Sequence, residues 1–355
     1  MLLLANLAFA AEPPPTAAIV PDSASRTVAD DDPASFRVTV VPGVGLNADP
    51  DQVVDGFSVG GIGMARELHG FDAQLGMSWV DGEMSGFQAT FGLAEAGSVD
   101  GWQVSSGVSW SRGDVRVLQG GMLSVAEGSV DGVQIGFANL ALGDDSEGVQ
   151  LGLFDLAGGL RGVQGSMVNV AKQVRGAQIG LVNVGGDVEG LQLGLVNVAK
   201  TSDVSIAPLN FVGDGLHRID VWTSESAVVS GAIKFGSKNV YTLIGAGQVN
   251  MTQPWWTFGG GFGLHLPVGP LWLELDDSVW ALSQGLLVAP GATNKLRLQV
   301  GFDLLNDHIA PFAGVSVNTW AGDGTVAPRA LGIPESRDAG HHFVSWPGFQ
   351  VGLSF

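Results

Sequence analysis

The stretch RGAQIGLVNVGGDVEGLQLGLVNVAK, residues 175–200, contains one phrase twice: GAQIGLVNV from Gly176 and GLQLGLVNV from Gly190, fourteen residues apart. A catalytic centre is assembled once, so repetition at so short a period points to architecture. Walking outward, GVQIGFANLA begins at Gly132, GVQLGLFDLA at Gly148 and GVQGSMVNVA at Gly162. Weaker copies begin at Gly56, Ala73, Gly86, Gly101 and Val117, and VSIAPLNFV at Val204 closes a series of eleven. The steadiest column is Gln74, Gln88, Gln103, Gln119, Gln134, Gln150, Gln164, Gln178 and Gln192, with Ser58 and Ser205 at its ends. A second column holds Asn139, Asn169, Asn183, Asn197 and Asn210, with Trp79, Leu93 and Val108 in its place in the early copies. Charges fall between the phrases, as in Asp144-Asp145-Ser146-Glu147, which marks these as turns.

Two all-β arrangements can use such a series. In an antiparallel meander each copy is a strand and the chain reverses at every turn. With a fourteen-residue period, simple hairpin pairing then sets Gln opposite Asn and sends successive Gln residues to opposite faces, so nothing requires Gln in every copy. In a parallel solenoid each copy is a coil stacked about 4.8 Å from the next, and every column lies on itself. Gln and Asn amides can then form hydrogen-bonded ladders along the axis. Parity favours the solenoid, though one inserted residue per strand would restore the meander. The columns Val133, Val149 and Leu191, then Ile135, Leu151, Ile179 and Leu193, then Val170, Val184 and Val198, are expected to fill a narrow core. Residues 203–214 depart from the phrase and are expected to cap the array.

Composition sets the class. There are 54 glycines without a collagen period, which suits tightly turned strands. The sequence has 35 acidic against 16 basic residues, a net charge of -19, which argues against a nucleic-acid partner. The absence of cysteine from the sequence excludes disulfides, thiolate chemistry and a lipid-modified Cys. After the N-terminus no run of about 18 apolar residues offers a membrane-spanning helix. Residues 1–10 read as a signal peptide, with an apolar core from Leu2 and an Ala8-Phe9-Ala10 cleavage pattern. Residues 11–35, rich in Pro, Ala and Asp, read as a linker, and residues 36–55 as a strand and connection ahead of repeats at 56–214.

From residue 215 the repeat gives way to alternating strands such as PLWLELDD and KLRLQVGF. Leu271, Leu273 and Leu275 oppose Trp272, Glu274 and Asp276, and Leu296, Leu298 and Val300 oppose Lys295, Arg297 and Gln299. That is the length and two-residue rhythm of membrane β-strands, and inside a small barrel Glu274 and Asp276 can pair with Lys295 and Arg297. A soluble sandwich with its charges in water is the competing reading. Trp255, Trp256, Trp280, Trp320 and Trp346, at strand ends, are expected to form an interfacial girdle.

The chain closes WPGFQVGLSF, with Phe349, Val351, Leu353 and terminal Phe355 on one face. This ending resembles the C-terminal signal by which the barrel-assembly machinery recognises bacterial outer-membrane barrels. The tandem GLQLGLVNVA phrase, the segment at residues 215–247 and the strands leading to Phe355 together resemble a family of bacterial surface-repeat outer-membrane proteins. That resemblance spans residues 56–355 and implies an outer-membrane or cell-surface location, with outer-membrane lipid and the assembly machinery as partners. It supplies no catalytic residue, cofactor or metal ligand.

Other chemistry finds no pattern. His341-His342 lacks a third ligand at metal spacing. FGGGFG at residues 258–263 has no following Lys or helix, so it is no phosphate loop. Asp144, Asp145 and Glu147 read as a solvated acidic turn rather than a calcium site. The sequence contains no G-x-S-x-G. The expectation is a non-enzymatic outer-membrane surface protein, a solenoid joined to an antiparallel barrel at residues 215–355, serving structure, adhesion or ligand display. The alternatives are one porin-like barrel of about twenty strands, and a small outer-membrane enzyme without a supporting motif.

Overall fold

The computed structural model describes residues 32–249, 255–283, 291–304, 309–322, 336–338 and 341–355. The expected leader at residues 1–10, and the linker up to residue 31, lie outside the described residues. All regular structure among the described residues is β, in two sheets. The first follows chain order from the hairpin of Ala34–Val41 and Val44–Leu46 to the strand Leu209–Val212. Apart from that hairpin every pairing in it is parallel, with Gln164 opposite Gln178 and Gln178 opposite Gln192. Asn169, Asn183 and Asn197 align likewise. Parallel pairing of copy on copy makes a solenoid of about eleven coils and rules out both the meander and the single large barrel. Ala34–Val41 pairs parallel with Val53–Ala65, so the first coil starts within the expected linker and takes in residues 36–55.

A different column explains the period. The glycine two places before the buried polar column, at Gly56, Gly70, Gly86, Gly101, Gly132, Gly148, Gly162, Gly176 and Gly190, adopts positive φ between 120° and 151°, where an L side chain is strained. At Gly190 an added Cβ would lie 2.1 Å from the carbonyl oxygen of Gly176, so this position takes glycine for the next coil to stack closely. Val117 alone fills this column with a side chain, at φ 85°.

The core differs from expectation. Ile135, Leu151, Ile179 and Leu193 are 41–46% exposed, while Gln134, Gln150, Gln178 and Gln192 beside them are buried. Neighbouring residues of a strand point to opposite sides, so a buried Gln column forces its apolar neighbours outward. Val133, Val149, Leu191, Val170, Val184 and Val198 are likewise only half-buried. The apolar core comes instead from the other half of each coil, from Ala141, Ala157 and Ala171 and from Val130, Leu160, Val174 and Val188.

The second sheet closes on itself. Eight antiparallel strands run from Leu216–Ser224 to His341–Ser354, and these two pair with each other, Asp220 opposite Ser354. A short strand, Ser336–Asp338, adds to the last of them. The solenoid meets this barrel on its outer wall. Phe235 and Thr242 alternate with the buried Lys234 and Tyr241 and so face outward. Phe211 stacks on Phe235 at 6.0 Å, and Thr242 Oγ1 donates to the carbonyl of Ala207 at 2.6 Å. An ion pair of 3.0 Å joins Lys238 to Asp214. Residues 203–214 are thus both the last coil and the joint.

Candidate functional site

In the solenoid, eight glutamines from Gln88 to Gln192 form one unbroken ladder. Each Nε2 donates to the Oε1 of the preceding coil, at 2.7 to 3.0 Å. From Gln88 to Gln178 the amide also donates to a backbone carbonyl, as from Gln164 to Val170 at 3.2 Å. The ladder therefore also satisfies backbone carbonyls of the strands beside it. The asparagines run the opposite way, Asn169 donating to Asn183 and Asn183 to Asn197, both at 2.8 Å.

Two positions depart from the sequence reading. The Gln column is continued below Gln88 by Asp72, because Gly86 stacks on Gly70 and Gly70-Phe71-Asp72 aligns with Gly56-Phe57-Ser58. Gln74, two residues beyond, turns its amide back to Asp72 at 2.7 Å and Ser58 at 3.0 Å. The early Asn column is Ser78, Ala94, Ser109 and Ser124, not Trp79, Leu93 and Val108. Small residues keep the column's inward direction where the bulky ones beside them do not fit. Arg37, aligned with Ser58, closes this end of the core; burial lowers its pKa, and Asp72 partly restores it.

Asp155 replaces Asn in its column and accepts from Asn139 Nδ2 at 2.8 Å. As a carboxylate it has no hydrogen to pass to Asn169. Ser166, which stands where most copies have glycine, supplies it instead, Oγ to Asn169 Oδ1 at 2.8 Å. Burial pushes the Asp155 carboxyl up to about 6, against the opposing hydrogen bond from Asn139.

In the barrel, Glu274, Asp276 and Arg297 are buried, as expected of the inward face. Arg297 Nε meets Asp276 Oδ1 at 2.6 Å. The partner of Glu274 is Lys234, which also bridges to Asp220, and His265 Nδ1 lies 2.9 Å from Glu274. Lys295 joins neither carboxylate: in the register it lies opposite Ser278, away from Asp276, and its ammonium donates to Ser226 Oγ at 2.9 Å. Lys234 was legible only as a lysine at the inward parity of AIKFG, while its partner is forty residues away.

Aromatic rings fill the remaining interior. Trp280, Trp320 and Trp346 are at most 2% exposed and point inward, which corrects the expected girdle; of those five, Trp256 is exposed. They share the parity of the inward charges, as Trp280 does with Glu274 and Asp276. Gly259 and Gly263 make room for them: an added Cβ would lie 2.5 Å from Trp280 and 2.3 Å from Tyr241. Glu225, from the turn at the far end, accepts from Asn318 Nδ2 and Phe349 N, each at 2.9 Å.

Phe349, Val351, Leu353 and Phe355 are on the outer wall, 43–58% exposed. The acidic turn is paired, Asp145 with Arg161 at 2.9 Å and Asp144 with Lys172 at 3.8 Å. Among the described residues no group of three potential ligands can hold a metal, and the side chains of His341 and His342 lie outside the description.

The fold is thus a parallel β-solenoid joined to a closed, side-chain-filled antiparallel barrel. Compared with family models, curated proteins and solved structures, the chain matches none.

Proposed function

We propose that the barrel crosses a bilayer of outer-membrane type and holds the solenoid at its side, the whole serving a structural or ligand-holding role without catalysis. The observation that carries this reading is the inversion of the barrel. Leu264, Leu266, Leu273, Leu275, Leu298 and Val300 face outward at 42–54% exposure, while Lys234, Glu274, Asp276 and Arg297 are shut inside. Water-soluble proteins do the reverse; a membrane barrel needs this arrangement. The outward row Phe349, Val351, Leu353 and Phe355 fits a lipid-facing strand of the same wall.

Sidedness follows from connection lengths. The solenoid enters at the end that carries Phe355, where strands are joined over three, two and seven residues after Gly236, Val268 and Phe302. At the other end strands are joined over two, seven, seven and eighteen residues after Ser224, Gln248, Ser283 and Gly322, so the greater connecting length is on that side. Outer-membrane barrels keep short turns in the periplasm and long loops outside, so the reading sets the solenoid on the periplasmic side, not on display at the cell surface.

The competing reading is a channel, and the packed Trp272, Trp280 and Trp320 side chains tell against it. Two measurements test both. Full-length protein folded in detergent should run faster on an unheated gel than after boiling; a monomer soluble without detergent would overturn the membrane reading. Planar bilayers should give no unitary conductance, and stable conductance steps would favour the channel.

A further inference from the structure

The solenoid is amphipathic around its own circumference. In all eleven coils the arc from the Gln column to the Asn column contains no charged residue, from residues 59–62 to residues 206–209. Charges occupy the opposite arc, where Lys172, Arg175, Asp187 and Glu189 form their ion pairs. The uncharged arc is not core. Phe137, Met167, Leu181 and Leu195 are 45–56% exposed along it, so it is an apolar strip on the outside. Ten steps of about 4.8 Å make that strip about 48 Å long, far beyond the scattered apolar residues of an ordinary surface.

The strip runs up to the barrel. Ile135, Leu151, Gly165, Ile179, Leu193 and Ile206 lie in one register-matched column. Its last member, Ile206, lines an apolar cleft of about 290 Å³ with the outward residues Phe262, Leu264, Leu275 and Leu296. Solenoid strip and barrel wall are therefore one continuous apolar surface.

We propose that this strip is a lipid-binding edge: the solenoid lies along the leaflet in which the barrel is set, its Gln-to-Asn arc dipped among acyl chains and its charged arc in water. The proposal rests on the membrane reading of the barrel. Continuity with the barrel wall selects lipid as the occupant, since whatever covers Leu264 and Leu275 also reaches Ile206. Charge segregation supports it, because the acidic turns face away from lipid headgroups. An interfacial amphipathic helix uses the same division of its circumference.

The sequence has no cysteine, so single thiols can be placed at will. Full-length variants Leu195→Cys, Leu153→Cys, Glu189→Cys and, on the barrel, Leu273→Cys would each carry an environment-sensitive fluorophore. They would be folded into phosphatidylethanolamine–phosphatidylglycerol vesicles with or without brominated acyl chains. The expected result is blue-shifted emission, lost on bromination, at positions 195, 153 and 273, and no loss at position 189. Bromine quenching at 273 with iodide quenching at 195 and 153 would overturn the edge while leaving the membrane barrel standing. Positions 195 and 153 shielded from both quenchers would mean a protein cover, such as a second copy, and would also overturn it. If 273 is not quenched by bromine, the membrane reading falls and takes the proposal with it.

Discussion

Along its Gln-to-Asn arc the solenoid, like the barrel, turns polar side chains inward and apolar ones outward, yet the two do so on opposite plans. The solenoid buries neutral amides that repeat from coil to coil, each satisfied by its own copy and a nearby carbonyl. The barrel buries full charges that occur once each, Lys234 between Asp220 and Glu274, and Arg297 against Asp276. Repeated neutral groups fit any coil onto any other, so they define a period but no length. Unique charge pairs fit one register only, so they favour a single closure of eight strands.

The largest effect that would break this comparison should come from the glycine column. Gly190→Val puts a Cβ against the Gly176 carbonyl and should cost on the order of 5 kcal/mol. Proteolysis should cut the solenoid readily while heat-modifiable mobility of the barrel persists; joint loss of both would mean the two regions fold as one unit. Next is Lys234→Met, which strands two buried carboxylates and should destabilise the barrel by about 4 kcal/mol, read from urea unfolding in detergent. Adding Glu274→Leu and Asp220→Leu should recover much of that loss. An unchanged urea midpoint in the single variant would show that these charges do not fix the closure.

A smaller effect separates neutral from charged within the solenoid itself. The Asp155 carboxyl is raised from 3.8 to about 6 in the fold, so the protonated form is the one the fold prefers. Its stabilisation is complete below the unfolded value and is lost as pH rises through about 6. Solenoid stability should therefore fall by about 2 kcal/mol between pH 4 and pH 7.5 on account of this group. Asp155→Asn should remove that slope and raise the melting temperature at pH 7.5; an unaltered pH profile would show that the ladder tolerates the charge. The smallest effect is a gain: Val117→Gly relieves the one side chain at positive φ in its column and should stabilise by about 1 kcal/mol.

Much of the architecture was legible because it is written in parity. A fourteen-residue period with Gln in every copy distinguishes stacked coils from reversed strands, and PLWLELDD announces both walls of a barrel strand. Inside and outside in the solenoid were not legible from the phrase, since G-x-Q-x-G alternates equally well in either sense. A ladder of buried Gln and a core of Ile135 and Leu193 could not both hold, however, and that conflict was present in the sequence. Asp72 was hidden because Gln74 two places on preserves the motif's wording at the same parity. Lys234 was hidden because charge partners across a barrel are chosen by strand tilt and closure, which no local spacing records.

The two amide ladders have an electrical consequence. Gln side chains donate toward the N-terminal end and Asn side chains toward the C-terminal end, so their dipoles oppose along the axis. Each ladder begins or ends on a buried oxygen without a partner, Asn139 Oδ1 at one and Gln192 Oε1 at the other. A single ladder would build partial charge at its ends as aligned peptide dipoles do in a helix. Where the two run side by side, from Asn169 to Asn197, opposed ladders offset each other, so a coil added or removed there leaves little change of field at the joint with the barrel.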